Sequence, residues 1–478
     1  MKFRMSLTRR QLLTTAAAGA AVGTAAKRPN IVFMMADDLG FGDLSCFGSQ
    51  EIETPHLDGM AREGMKFKRY YAASAVCTPT RASILTGRYP LRFDIRAHFP
   101  DGPEHLPAGT VTLPGLLREA GYACMHIGKW HLGGLRPELM GGKGRVIPGP
   151  REHGFDHYLA MYETPPIRGV LARQRLLYRE GARHLVRDDL PEPLAFEHWE
   201  DYKSAEAVKF IEQSHKAGKP FFLNLWFDAP HAPYEPAPEP HVSRYQGKVA
   251  GDGLLYRSMV SHMDACVGRV RAKLRELGIE GDTLLIFTSD NGPAFQGSTG
   301  GLKGRKADLH EGGIRVPMIA CWRGRIRAGS VSDEFAHSTD FLPTLCAAAG
   351  IGAPERAQLD GKNILPYWLG EGRMAERGPV FWQMDLYKTD WQGGDGPVPY
   401  KKPTPFATEV ARLGKWKLLA RDGVPTELID LEADPGENRN LLGSEPGVEK
   451  QLTAELREWL NAPRDRSWRS LAPDSRGR

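Results

Sequence analysis

The sequence predicts an α/β protein: a doubly wound, mostly parallel sheet sandwiched by helices, followed by a smaller C-terminal α+β domain carrying an antiparallel sheet. Three observations predict it. Residues 30–36 and 283–289 are short, almost unbroken apolar runs, the mark of strands buried on both faces. Between such runs lie segments with apolar residues at three- and four-residue steps, for example Val260, Met263, Val267, Val270 and Leu274, which predict helices. Composition then shifts near Gly370 to Gly378, and short strand-like runs take over.

Residues 1–26 read as an export signal outside the fold. Lys2, Arg4, Arg9 and Arg10 give a basic start, the paired arginines stand in Leu7-Thr8-Arg9-Arg10-Gln11-Leu12-Leu13, and an Ala-rich run reaches Thr24-Ala25-Ala26. The pattern predicts a twin-arginine signal cleaved after Ala26, the twin-arginine export machinery as a partner, and a periplasmic or extracytoplasmic destination. Residues 12–26 are too short and too poor in Leu, Ile and Phe to span a bilayer, and no other stretch qualifies as a membrane span.

The whole chain of 478 residues carries a formal charge of +5, and the signal holds four basic and no acidic residues, so the remainder carries 5 − 4 = +1. Such a balance offers no basic field for nucleic acid. At 41% hydrophobic and 25% charged, the composition is that of a globular protein with ample core, and the length suggests two domains, 27–372 and 373–478. The six cysteines, Cys46, Cys77, Cys124, Cys266, Cys321 and Cys346, include no CxxC pair, so neither a zinc site nor a disulfide framework is predicted.

The first buried run passes directly into Asp37-Asp38, and the second into Asp290-Asn291-Gly292. Carboxylates at the end of a central strand are costly unless something cationic holds them. Paired carboxylate and amide oxygens suit a hard divalent ion, whereas Zn²⁺ prefers His and Cys. Asp and Asn before Gly also cap ordinary turns, and either pair alone reads more readily that way. Two further apolar runs lead to conspicuous polar groups: residues 122–127 to Gly128-Lys129-Trp130-His131-Leu132-Gly133, and residues 221–227 to Pro230-His231-Ala232-Pro233. Lys306 lies five residues before Glu311-Gly312-Gly313, with Lys303 nearby. Helices are predicted over 199–214 and 254–277, and ligands of a doubly wound sheet bind outside its strands' carboxyl ends, where these groups fall.

Residues 140–195 break the alternation with glycines, prolines and six arginines between Arg168 and Arg187 against a single Glu180. They read as an insertion over the site, either a grip for an anionic substrate or a solvated charged face. In the C-terminal part, residues 380–384, 408–420 and 427–431 predict antiparallel strands, followed by a helix over about 447–460.

All of this is organised around Cys77-Thr78-Pro79-Thr80-Arg81-Ala82-Ser83-Ile84-Leu85-Thr86-Gly87-Arg88. Pro79 suits the first position of a helix, which places Cys77 just outside the N-terminus, a natural seat for an anion. An isolated Cys would read as a small buried hydrophobe. The twelve residues in register resemble the signature of the type I sulfatases of the alkaline phosphatase superfamily. The resemblance extends to Gly-Lys-Trp-His at 128–131, to Pro230-His231, to Lys306 and, in the smaller domain, to Arg412–Leu418 and Asp430–Leu441. It therefore covers nearly all of residues 29–445 and is silent about the insertion.

That resemblance implies a sulfatase in which a maturation enzyme, formylglycine-generating or radical sulfatase-maturating, oxidises Cys77 to formylglycine. It implies one Ca²⁺ held by Asp37, Asp38, Asp290 and Asn291 beside residue 77. Catalytic roles fall on Cys77, Arg81, Lys129, His131, His231 and Lys306: Arg81 would hold the hydrated aldehyde's hydroxyls, His131 assist its collapse, and Lys129, His231 and Lys306 clamp the sulfate. The substrate would be a sulfated carbohydrate or an aryl sulfate. Two alternatives stay open at this point, a phosphodiester or phosphonate monoester hydrolase on the same scaffold and a non-catalytic glycan-binding relative.

Overall fold

The computed structural model describes residues 28–98, 105–133, 148–161, 197–385 and 407–465, with short pieces at 135, 185–188, 190–191, 387–388 and 398–399. The expected signal and most of the 140–195 insertion lie outside the described residues. Among those described, no helix is long and apolar enough to cross a membrane, and all six cysteines are free thiols.

Ten strands form the main sheet: β1 (Asn30–Ala36), β2 (Met65–Tyr71), β3 (Ala123–Lys129), β4 (His157–Met161), β5 (Leu185–Arg187), β6 (Leu190–Pro191), β7 (Phe221–Trp226), β8 (Thr283–Ser289), β9 (Met318–Cys321) and β10 (Ser330–His337). Their order is β10-β2-β9-β8-β1-β7-β3-β4-β5-β6. From β8 across β1, β7 and β3 to β4 every neighbour is parallel, as is the β10–β2 pair. Antiparallel pairing is confined to β9 and to the β4–β6 edge. The doubly wound, mostly parallel reading therefore holds.

Alternation along β1 explains why both faces must be covered. Ile31, Phe33 and Met35 point into a core shared with α2 (Cys77–Thr86), α3 (Leu113–Glu119) and α6 (Phe341–Ala348). Val32, Met34 and Ala36 point the other way, onto α1 (Pro55–Glu63), α4 (Trp199–Lys216) and α5 (Asp252–Glu276). Each large side chain so buried contributes roughly 1.5–3 kcal/mol, which is why an unbroken apolar run is stable here and nowhere on a surface.

The C-terminal sheet pairs Val380–Gln383, Glu409–Leu413, Trp416–Arg421 and Val424–Asp430, all antiparallel, with α7 (Pro446–Asn461) packed on it. The stretch expected over 408–420 is a hairpin that turns at Gly414, whose φ of 57° suits glycine. This sheet seats Val380, Trp382, Val410 and Leu419 against Tyr71, Ala75, Val76, Leu309 and Ile314 of the larger part. Charge reinforces the contact. Fully buried Lys417 lies 3.0 Å from Glu311 and 2.8 Å from Glu437, and the Glu311 N–H donates to Glu437 at 2.6 Å.

One lysine serves two carboxylates unequally. Burial pushes Glu311 up, but Lys417, Arg412 and Arg315 outweigh it and hold the group down at about 2; burial and the neighbouring Glu311 leave Glu437 raised. Replacing Lys417 by Met strands both carboxylates, so a loss of about 3–5 kcal/mol is expected, read as a lowered Tm in calorimetry.

His310 lies 2.6 Å from Asp308 and 3.2 Å from Glu427 of the C-terminal sheet. Burial opposes its protonation, yet hydrogen bonds to these two carboxylates raise it from 6.5 to about 9. A raised histidine contributes stability that is fully present below pH 6.5 and is lost as pH rises through 9. Thermal melts from pH 6 to 9.5 should show that decline, and His310→Gln should flatten it.

Candidate active site

The register of the central strands brings the polar groups together. β1 pairs Met35 with Trp226 of β7 and Ala36 with Ser289 of β8, while β3 pairs Gly128 with Trp226. Four parallel strands thus end level, and the residues that follow them, Asp37-Asp38, Asp290-Asn291, Lys129 and the 227–231 turn, share one edge. Backbone bonds lock the exits: Asp290 N–H donates to the Ala36 carbonyl and Asp37 N–H to that of Ala229, each at 3.2 Å. Asp38 takes a φ of 64°, a left-handed conformation that Asp tolerates better than most.

Helix α2 enters the same edge from the side. Its first residue is Cys77 itself, with extended Val76 as N-cap. This corrects the expectation that Cys77 stands outside the helix: Pro79 falls at the third position, where its missing N–H is still among the four with no intrahelical partner. Gly87 closes the helix in the left-handed conformation, φ 66°, donating to the Ser83 carbonyl. Lys306 arrives through backbone bonds from its own N–H to Pro293 and from Ala307 N–H to Ala75. Gly312 and Gly313 permit that path, since a Cβ at Gly313 would lie 1.8 Å from the Asp308 carbonyl oxygen.

The side chains interlock. Lys129 Nζ donates to Asp37 Oδ2 at 2.6 Å and lies 3.7 Å from Cys77 Sγ, itself 3.6 Å from Asp37 Oδ1. Arg81 donates to Asp290 Oδ2 at 2.6 Å and to the Lys129 carbonyl at 3.0 Å, with its guanidinium 5.0 Å from the Trp226 ring. Lys306 Nζ reaches Asp38 Oδ1 at 2.7 Å and His231 Nε2 at 3.0 Å. The Thr78 hydroxyl donates to the carbonyl of His131, at 2.8 Å. Asp37, Asp38, Cys77, Arg81, Lys129, His231, Asp290 and Lys306 are therefore in one cluster, Asn291 joins it by donating to Asp38 Oδ1 at 2.7 Å, and His131 meets it through its backbone carbonyl. Lys303 is outside it: it pairs with Glu427 at 3.0 Å.

Burial raises Asp37, but Lys129, His231, Arg81 and Lys306 outweigh it and hold the carboxyl well below its ordinary range. Burial and Asp37 instead push Asp290 up to about 7 against the pull of Arg81. Lys306 stays strongly cationic because Asp38, Cys77 and Asp37 overcome its burial. His231 is lowered to about 4 by burial and Lys306, so at neutral pH it is a neutral imidazole that accepts from the lysine through Nε2. Burial drives the Cys77 thiol far above its usual value, with Asp37 and Asp290 adding to the effect and Lys129 and Lys306 opposing it.

A divalent cation fits this donor set. Oxygens of Asp37 and Asp38, with Cys77 Sγ and a His231 nitrogen, lie within 4.8 Å of one another. Asn291 presents a buried Oδ1 with no hydrogen-bond partner, and Asp290 carries a raised carboxyl, both of which a cation would relieve.

With that geometry in hand, the comparisons are decisive. The Sulfatase family model matches residues 29–351. The chain belongs to the sulfatase family. A second model, N-sulphoglucosamine sulphohydrolase, C-terminal, matches residues 305–466. N-acetylgalactosamine-6-sulfatase of Canis lupus familiaris is 35% identical over 393 residues, covering 78% of this chain and 72% of that protein. Arylsulfatase A of Homo sapiens is 32% identical over 479 residues, covering 94% and 90%. Among solved structures, Ps i-CgsB superposes with a TM-score of 0.79 at 26% identity, over 92% of this chain and 95% of that one. The protein is thus a sulfatase, a sulfuric ester hydrolase.

Two parts of the sulfatase site escaped sequence reasoning. The His98 ring lies 6.1 Å from that of His131 and is lowered to about 4 by burial, Lys306, Lys129 and His231. Nothing in its loop sequence sets it apart. The second is a support under His231. Asp228 accepts from Trp199 Nε1 and from buried Lys203 Nζ, both at 2.6 Å, while Glu200 accepts from the N–H groups of Asp228 and Ala229. An acid placed directly after an apolar strand, the signal used for Asp37, would have found Asp228. Replacing Lys203 by Met should lower Tm and cut sulfate ester turnover by at least about tenfold through misplacement of His231, measured by thermal melts and steady-state kinetics.

Proposed function

We propose that this sulfatase hydrolyses sulfate esters of carbohydrates through a formylglycine made from Cys77, with Ca²⁺ held by Asp37, Asp38, Asp290 and Asn291 beside residue 77. The observation that carries the reading is the state of Cys77. Lodged at a helix start among Asp37, Asp290, Lys129 and Lys306, it has anion-binding surroundings but a thiol pushed strongly toward its neutral form. A neutral thiol is a poor nucleophile. Formylglycine, once hydrated, supplies a hydroxyl that attacks sulfur and a second whose deprotonation expels sulfate, a route closed to an ordinary serine.

The surrounding residues do the electrostatic work. Arg81, fixed by Asp290 and the Trp226 ring, holds the hydroxyls of residue 77. Lys129 and Lys306 face the sulfate oxygens and neutralise charge as it develops, in a buried setting where such contacts count for most. His231, neutral and in contact with Lys306, completes the clamp, and His131 handles the proton of the second hydroxyl. Ca²⁺ would supply Lewis-acid charge at the nucleophile and sulfate oxygens.

A carbohydrate substrate is supported by the relatives' names: one acts on an N-acetylgalactosamine 6-sulfate, and Ps i-CgsB was solved with k-i-k-neocarrahexaose. Export through the twin-arginine signal of residues 1–26 to the periplasm belongs to the same reading, with maturation before translocation. The test joins peptide mass with turnover. The peptide containing Cys77 should lose the difference between CH₂SH and CHO, and the protein should release sulfate from sulfated sugars faster than phenol from an aryl phosphodiester. Cys77→Ala should abolish release. An unmodified thiol in active protein, or preference for the phosphodiester, overturns the proposal.

A further inference from the structure

A second cluster of metal-ligating side chains lies away from the sulfate site, between α4 and α5. His262 and Cys266 stand one turn apart on α5, and Asp201 lies in the first turn of α4 facing them. The His262 Nε2 atom is 3.1 Å from Asp201 Oδ1, and Cys266 Sγ is 3.9 Å from the same oxygen. A tetrahedral ion with bond lengths of about 2.0–2.3 Å sets neighbouring N, O and S donors about 3.3–3.6 Å apart. The two observed separations bracket that interval.

The surroundings point the same way. His262 is 5% exposed, and its Nε2 faces Asp201 Oδ1 at 3.1 Å. Two more imidazoles flank it: ring centres of His198 and His241 lie 5.8 and 5.3 Å away, and His241 Nδ1 is buried and without a partner. Imidazoles sharing one tetrahedral ion have ring centres about 5 Å apart. Arg269 donates to Asp201 at 2.8 Å and also to Ser204; at 44% side-chain exposure its charge is largely solvated, and it orients the carboxylate as an outer partner.

We infer that Asp201, His262 and Cys266 form a second, structural site for a borderline-soft divalent ion of the Zn²⁺ class, its fourth position filled by a flanking imidazole or by solvent. A thiolate and an imidazole beside a single carboxylate suit a borderline-soft ion better than a hard one. Binding displaces the Cys266 thiol proton to solvent, and the ion joins the thiolate, the neutral imidazole and the carboxylate. The sequence reading excluded zinc because it sought CxxC spacing, whereas these ligands come from two helices. Such an ion would pin the start of α4, whose Trp199, Glu200 and Lys203 hold Asp228 and so the base of the His231 turn.

The inference does not rest on the proposed sulfatase chemistry, and its test is independent of activity. Full-length Cys77→Ala protein, cleared of metal with a chelator and then dialysed free of it, is titrated with Co²⁺ and separately with Zn²⁺, both in excess Ca²⁺. One equivalent of Co²⁺ should produce a thiolate-to-cobalt charge-transfer band, and Zn²⁺ should bleach it and raise Tm. Cys266→Ser should lose the band, and His262→Gln should weaken binding at least about tenfold. Should Cys266→Ser fold poorly by circular dichroism, His262→Gln carries the comparison. Absence of a band, a band that survives Cys266→Ser, or unaltered affinity in His262→Gln overturns the inference.

Discussion

The constraint on which the rest depends is the burial of opposing charges at one edge of a parallel sheet. Asp37, Asp38 and Asp290 are wholly or nearly wholly removed from water, and so are Arg81 and Lys129. Each would be severely penalised alone, since taking an ion out of water costs several kcal/mol even after relaxation. They persist because β8, β1, β7 and β3 end at one level and deliver carboxylates and cations within hydrogen-bond reach of each other. The largely apolar character of the central strands fits this, and where β7 and β3 bury Asn224 and His126 the two bond each other at 2.9 Å. Only a sheet covered on both faces holds its strand ends rigidly enough to keep such groups paired.

Rigid strand ends are insufficient for groups carried on loops, and the protein supports those from outside. Lys306 rides on a segment clamped by the C-terminal sheet, where Lys417 binds Glu311 and Lys303 meets Glu427, and from the main sheet Tyr71 of β2 donates to Glu311 at 2.6 Å. His231 rides on a turn held by Asp228, which α4 grips through Trp199 and Lys203. The C-terminal part therefore takes part in building the site even though none of the clustered site residues comes from it. Its matching family model begins at residue 305, inside the segment it stabilises.

Much of this was legible in the sequence, for physical reasons that also mark where legibility ends. β1 and β8 are found at the bounds the apolar runs give, because burial on both faces leaves no charged residue to blur them. Asp37, Asp38, Lys129, His231, Asp290 and Asn291 share one edge, since groups placed at or just after the ends of parallel strands must, whereas Cys77 and Arg81 arrive on α2 and Lys306 on a loop. By contrast β2 mixes Lys66, Lys68 and Arg69 with its buried positions, and β10 is largely polar, so neither shows a strand pattern. Lys203, Lys417 and Glu311 were illegible for a different reason. A charged residue in a helix or strand reads as solvated, and its buried partner is hundreds of residues away for Glu311 and Tyr71. His98 depends wholly on the path of a loop.

The thiol at residue 77 shows how far local sequence and site chemistry diverge. A cysteine at a helix N-terminus beside a lysine should be an activated thiolate, by the dipole and by charge. Here burial and the carboxylates of Asp37 and Asp290 overcome both, and the thiol is driven the other way. Those same carboxylates would repel an incoming sulfate unless their charge were cancelled. Lys129, Arg81 and Lys306 already answer Asp37, Asp290 and Asp38, three cations for three carboxylates, yet burial and Asp37 still raise Asp290 to about 7, a strain that a further cation would relieve. A cleft that holds a protonated thiol among three carboxylates and three cations, with Asn291 Oδ1 left unpartnered beside them, is what the proposed cation and oxygen nucleophile would complete.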